Sequence, residues 1–83
     1  MLSVIERIAQ GAIFEPEEIA AMVSAFDRAW ASLLASERRF PEPREREAAR
    51  EALAKYIIEA AKAGERDPVL LAEQAVAAFR RRP

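Results

Sequence analysis

Residues 16–36 decide the fold, and they read PEEIAAMVSAFDRAWASLLAS. Pro16 fits the first position of a helix, because its fixed φ suits the first turn and its missing amide hydrogen would have no partner there. Two glutamates follow, where the positive end of the helix dipole favours carboxylates. Phe14 has the spacing of a hydrophobic staple to Ile19. These signals together predict that a helix begins at Pro16.

The apolar side chains of this segment fall on one side of the predicted helix. At about 100° per residue they cover a single arc around Phe26, and Ser24 and Arg28 lie opposite that arc. The arc comprises Ile19, Met22, Val23, Trp30, Leu33 and, at its edge, Leu34. The pattern therefore predicts an amphipathic helix that supplies much of the core and ends near Ser36.

Start and stop signals predict three further helices. Ser3 and Glu6 have the spacing of a capping box, which indicates a short helix near the N-terminus. Pro43 fits the first turn of a later helix, and Gly64 fits its C-terminal stop. Asp67, followed by a proline, combines an N-cap with a helix start. The predicted helices cover, in order, about residues 3–10, 16–36, 43–63 and 68–81.

The chain of 83 residues has the size of one domain, spanning residues 1–83. Its sequence has neither a strand pattern nor an internal repeat. We expect an all-α fold, a small four-helix orthogonal or up-down bundle with a short first helix. At this length folding buries only a little over ~60% of the surface that the unfolded chain exposes. The resulting marginal stability favours a partner or a second copy.

The composition argues against most kinds of catalytic chemistry. The sequence has no cysteine and no histidine, which removes disulfides, thiolate catalysis, imidazole chemistry and nearly every zinc-type site. It also has no glycine-rich phosphate loop and no serine elbow. We therefore expect no enzyme, no catalytic residue, no cofactor and no metal site. The enzymatic alternative would need a ligand cleft around Asp27, Arg46 and Arg50.

The charge balance gives no general attraction to nucleic acid or to an anionic membrane. Thirteen basic and fourteen acidic side chains give a net charge of -1. The N-terminal apolar run contains Glu6 and Arg7, and the sequence has no uninterrupted apolar stretch of ~18 residues. We expect a cytoplasmic protein without membrane contact. Arginine is much more frequent than lysine, a usage typical of GC-rich bacterial genes.

A basic cluster surrounds the predicted turn that follows Ser36. It comprises Arg38, Arg39, Arg44, Arg46 and Arg50. These arginines are a candidate contact for an anion or a partner, and the alternative function is a nucleic-acid-binding helical regulator. Interleaved glutamates weaken the local field, so nucleic acid is the less favoured partner. Arg46 and Arg50 extend the apolar side of their helix, where they either pair with Asp27 or Glu47 or bind a ligand.

Several apolar residues fall outside the predicted core. Ile58 lies on the far side of its helix from Leu53, and Leu70 lies away from the apolar stripe of the last helix. The short first helix is apolar on more than one side. We therefore predict an interface formed by Leu2, Ile5, Ile58 and Leu70. The favoured function is a small protein-interaction or dimerisation module without catalytic activity, whose partner is a second copy or another protein.

Three strings carry a resemblance over the last three predicted helices. They are Pro16-Glu17-Glu18-Ile19-Ala20, Ala25-Phe26-Asp27-Arg28-Ala29-Trp30 and Gly64-Glu65-Arg66-Asp67-Pro68. With these strings the chain resembles a group of short, uncharacterised all-helical proteins of GC-rich proteobacteria. The resemblance implies a helical fold, and it implies no activity, cofactor or site residue.

Overall fold

The computed structural model describes Ile5, residues 14–36 and residues 42–81. Within these residues it contains three helices and no strand. The helices are α1 (Pro16–Ser36), α2 (Pro43–Lys62) and α3 (Pro68–Arg81). Each helix contacts both of the others, so the three form one packed bundle.

The predicted four-helix bundle is wrong, because the described part of the chain forms three helices. The predicted first helix at about residues 3–10 lies outside the described residues, except for Ile5. Ile5 is helical and fully buried. The remaining buried hydrophobic side chains all come from the three helices, which therefore build the core largely by themselves.

α1 begins where the sequence predicts. The Glu15 amide donates a hydrogen bond to Glu18 Oε1 at 2.8 Å, and the Glu15 carbonyl accepts from the amide of Ile19 at 3.0 Å. Glu18 thus performs the return half of a capping box on the residue that precedes the helix. Phe14 and Ile19 are both partly buried against the core, as the staple spacing predicts.

The connection between α2 and α3 follows the predicted stop and start signals. Gly64 has φ +113°, and the Glu65 amide donates to the carbonyl of Ala60 at 3.1 Å, which closes the end of α2. The amide of Val69 donates to Asp67 Oδ1 at 2.8 Å, so Asp67 caps α3. α2 ends at Lys62, one residue earlier than predicted.

Arg66, in this connection, joins the start of α1 to the end of α2. Its Nη2 lies 2.7 Å from Glu18 Oε2, and its Nη1 donates to the carbonyl of Ala61 at 2.6 Å. The beginning of α1, the end of α2 and the beginning of α3 therefore meet at one end of the bundle.

The core is made mainly of small and aliphatic side chains. Its largest fully buried members are Ile5, Met22, Leu33, Leu53, Ile57 and Leu71. Trp30, which lies on the predicted apolar arc, and Tyr56 are partly buried and pack against the core. Alanines on all three helices complete the core and let the helices approach closely.

Candidate functional site

A groove of about 420 Å³ lies between α1 and α3. α1 contributes three residues to its wall, and α3 contributes residues from each of its turns. The lining residues are Arg28, Ala29, Ser32, Val69, Ala72, Glu73, Val76, Ala77 and Arg80. The α3 residues recur at intervals of three or four, so they form one continuous side of that helix.

The groove has an apolar floor and a charged rim. Ala29, Ala72 and Val76 are buried and form the floor. The floor lies close to the helix backbones because two of these side chains are single methyl groups. Among the rim residues, Arg28, Glu73 and Arg80 are all exposed, and they carry the groove's charges. A floor of this kind accepts apolar side chains, and charges around it select how a partner is oriented.

Two large apolar side chains are exposed at the beginning of α3. Val69 is 41% exposed and lies in the groove, and Leu70 next to it is 43% exposed. Both amides are directed toward Asp67, which fixes the backbone that presents these side chains. Leu34 near the end of α1 is 47% exposed. Its position on the helical wheel places it on a different side of α1 from the groove residues.

A second concave surface of about 510 Å³ runs along the first half of α1. Its described lining residues are Pro16, Ile19, Ala20, Val23, Ser24 and Asp27. Asp27 is exposed there. The enzymatic alternative would need a ligand cleft around Asp27, Arg46 and Arg50, and neither arginine lines this surface.

The predicted interface residues are not all at the surface. Ile5 is fully buried and Ile58 is only 7% exposed, so both belong to the core. The interpretation of Ile58 as a surface residue was wrong, because α2 packs against both other helices and buries more than one side. Leu70 is exposed as predicted, and Leu2 lies outside the described residues.

The predicted basic cluster divides into residues with different surroundings. Arg38 and Arg39 lie outside the described residues, and Arg44 and Arg46 are exposed on the first turns of α2. Three glutamates, at positions 42, 45 and 47, are exposed among them. The cluster therefore mixes both signs of charge along the described start of α2.

Arg50 is half-buried against two aromatic rings of α1. Its guanidinium carbon lies 5.1 Å from the ring centre of Phe26 and 5.4 Å from that of Trp30. The two rings are stacked, with centroids 6.4 Å apart and planes inclined by 9°. The arginine stem covers apolar surface, as its place on the apolar side predicts, and its charge faces π-electrons.

The groove is not evident from the sequence, although Leu70 next to it was predicted to lie outside the core. Arg28 was predicted to lie on the solvent side of α1, opposite the apolar arc of that helix. The signal for the groove was the row of small residues on facing sides of the two helices, such as Ala29 and Ala72. That signal becomes meaningful only when the packing of α3 beside α1 is known.

Two further observations describe the chemistry available. Among the described residues, there is no cluster of three acidic, histidine or cysteine side chains that would hold a metal ion. No helix in this part of the chain has the length and apolarity that crossing a membrane requires.

Comparison of the chain with protein-family profiles, curated protein sequences and solved structures finds no match.

Proposed function

We propose that this protein is a non-catalytic interaction module that associates with a second copy of itself through the outer side of α3. The single observation that carries the proposal is the groove between α1 and α3, with Val69 and Leu70 exposed at its end. The groove has an apolar floor, and exposed apolar side chains stand beside that floor on α3. Among the described residues that line it, the groove offers no cluster of groups for acid, base or metal chemistry.

The physical reason for association is the cost of leaving this surface in water. Burial of apolar area contributes about 25 cal/mol per Å². Val69 and Leu70 retain more than two fifths of their exposure, and they adjoin a groove that another side chain can fill. A domain of this size gains proportionally more from such burial than a large domain does, because its own core is small.

The absolute mass in solution tests this proposal. Light scattering on a sizing column, over a range of protein concentrations, is expected to give a dimer of the 9.3 kDa chain. Leu70→Glu is expected to shift the mass toward the monomer while the helical circular dichroism stays the same. Leu34→Glu is the matched control, because Leu34 is exposed to a similar degree, 47% against 43%, on another side of the bundle.

Two results would contradict the proposal. The first is a monomeric mass for the wild-type chain at every concentration. The second is equal weakening of the dimer by Leu34→Glu and Leu70→Glu, since that would show a general effect of added charge and no role for the α3 surface.

The nucleic-acid alternative has weaker support. The guanidinium of Arg50 lies over Phe26 and Trp30, and exposed glutamates accompany Arg44 and Arg46. Phosphate contacts need cations that are free of nearby carboxylates, because each carboxylate reduces the gain from counterion release. No specific geometric feature of the described residues favours a nucleic acid over a protein partner.

A further inference from the structure

We infer that α3 of a second copy lies antiparallel in the groove between α1 and α3, with Glu73 of each copy facing Arg80 of the other. This inference rests on the proposed self-association and specifies its geometry. It commits to a second copy as the occupant, because the charges and the shape of the groove complement those of α3 itself.

The spacing of the charged residues on α3 carries the argument. Glu73 and Arg80 are seven residues apart, about two turns, so they project from nearly the same side of the helix. Both are exposed, and both line the groove. Their midpoint falls between Val76 and Ala77. If two copies of α3 cross antiparallel at that point, each Glu73 meets the other copy's Arg80 across the interface.

A parallel arrangement of the two α3 helices is disfavoured by the charges of Glu73 and Arg80. A parallel pair with a twofold axis along the helices brings identical positions together, so Glu73 would face Glu73 and Arg80 would face Arg80. Like charges at an interface reduce affinity and exclude that orientation. The antiparallel arrangement replaces both repulsive contacts with two equivalent ion pairs, one on each side of the crossing point.

Small side chains at the crossing point permit close contact. Ala77 is exposed at the centre of the α3 surface, with Val76 buried beside it in the groove floor. Helices approach to about 8 Å where the contact residues are small. At that separation the second copy's α3 sits in the groove and also reaches the α1 wall.

The α1 wall adds to the complementarity. Arg28 is exposed on the α1 side of the groove and lies on its rim together with Arg80. Glu73 of the second copy would therefore enter a rim with two arginines. By symmetry, Glu73 of the first copy lies beside Arg28 and Arg80 of the second copy, because the two chains of a twofold dimer use the same surface.

The same arrangement gives Leu70 a place. With the crossing point between Val76 and Ala77, residue 72 of one copy lies opposite residue 81 of the other. Leu70 is about two residues, or ~3 Å along the helix, beyond that level. Its side chain would cover the alkyl part of Arg81 of the second copy, which accounts for an exposed leucine at the start of α3.

Charge reversal tests the pairing directly. Glu73→Arg and Arg80→Glu are each expected to raise the dissociation constant of the homodimer by at least about tenfold, because each change converts two ion pairs into two like-charge contacts. An equimolar mixture of the two variants is expected to recover a heterodimer. In that mixture both positions carry arginine in one chain and glutamate in the other, so each facing pair again joins opposite charges. The double variant, carrying both reversals, is expected to recover the homodimer in part, because the arginine at position 73 then faces Arg28 as well as the glutamate at position 80.

The controls use exposed charges away from the groove. Glu59→Arg and Arg44→Glu, both on exposed positions of α2, are expected to leave the dissociation constant within about threefold of the wild-type value. Circular dichroism establishes that every variant has wild-type helicity. The mixture and the double variant keep the test decisive even if one single variant changes the net charge enough to weaken association generally.

Different failures have different meanings. A wild-type dimer whose affinity is unchanged by either reversal overturns the antiparallel α3 pairing, while the proposed self-association stands on another surface. Single reversals that weaken the dimer, with a mixture that stays monomeric, also overturn the pairing. A wild-type chain that is monomeric at every concentration overturns both the pairing and the proposed function.

Discussion

The side chain of Arg66 joins two helix ends that are distant in the sequence, and its removal gives the sharpest stability prediction. Nη2 lies 2.7 Å from Glu18 Oε2 at the start of α1, and Nη1 donates to the carbonyl of Ala61 near the end of α2 at 2.6 Å. The Glu18 side chain is only 18% exposed, whereas that of Arg66 is 54% exposed. We expect Arg66→Ala to destabilise the fold without abolishing it.

Three contacts of the guanidinium are lost, and two of them decide the magnitude, because the third, from Nη1 to the carbonyl of the neighbouring Glu65 at 3.0 Å, is exposed. A charge-assisted hydrogen bond contributes about 1.5–3 kcal/mol when buried. The bond to Ala61 is only partly buried, so about 1 kcal/mol is appropriate for it. The ion pair with Glu18 contributes a further ~0.5–1 kcal/mol, because the exposed arginine is screened by solvent. Arg66→Ala should therefore lower the free energy of unfolding by about 2 kcal/mol.

Urea and thermal denaturation, followed by circular dichroism at one fixed protein concentration, measure this loss. For a chain of this size about 2 kcal/mol corresponds to a fall in Tm of roughly 10 °C. Arg66→Lys should recover less than half of the loss, because one ammonium group cannot reproduce both directed contacts of the guanidinium. Arg44→Ala, at an exposed position of α2, is the control and should change stability by less than about 0.5 kcal/mol.

A double-mutant cycle isolates the contact with Glu18. Glu18→Gln keeps an oxygen that accepts from the Glu15 amide and removes the negative charge facing Arg66. We expect a coupling energy of about 0.5–1 kcal/mol between Glu18→Gln and Arg66→Ala. A coupling energy of zero, or a loss below about 0.5 kcal/mol for Arg66→Ala alone, would refute the role of Arg66 as the link between these helix ends.

Three other substitutions test separate parts of the fold. Gly64→Ala should lower the free energy of unfolding in urea by about 1–2 kcal/mol, because an alanine is strained at φ +113° even though its Cβ would meet open space; a neutral result would show that the turn relaxes. Ile58→Ala should cost about 2–4 kcal/mol, since the side chain is 7% exposed, and a loss below about 1 kcal/mol would contradict its place in the core. Arg50→Gln should shift the emission of Trp30, the one tryptophan, to longer wavelength, because its ring loses the covering guanidinium; unchanged emission would count against that contact.

Much of the fold is readable from the sequence because helix ends are decided locally. Pro16 and Asp67 mark helix starts through their own conformational preferences, and Gly64 marks a stop because its positive φ suits few other residues. Each signal operates over four or five residues. The predicted bounds of the described helices are accordingly correct to within one residue.

The contacts between helices could not be read in the same way. Arg66 and Glu18 are 48 positions apart, and nothing in either local sequence indicates the other. The same holds for Arg50, whose position on the apolar side was evident but whose partners, Phe26 and Trp30, were not. The groove also depends on how α3 passes beside α1, because its floor combines residues from both.

The burial of Ile58 shows why the candidate surface had to be revised. A single apolar stripe assumes that a helix packs against one neighbour, but α2 packs against both α1 and α3. Its buried residues run from Ala49 to Ala61, and on a helical wheel they span about half of the circumference, with Ile58 at one edge. Ile58 therefore completes the core, and the exposed large apolar residues of α3 are left at its N-terminal end, adjoining the groove. A partner that covers the groove would thus bury Val69 and Leu70 together, whereas a partner that binds elsewhere would leave both in water.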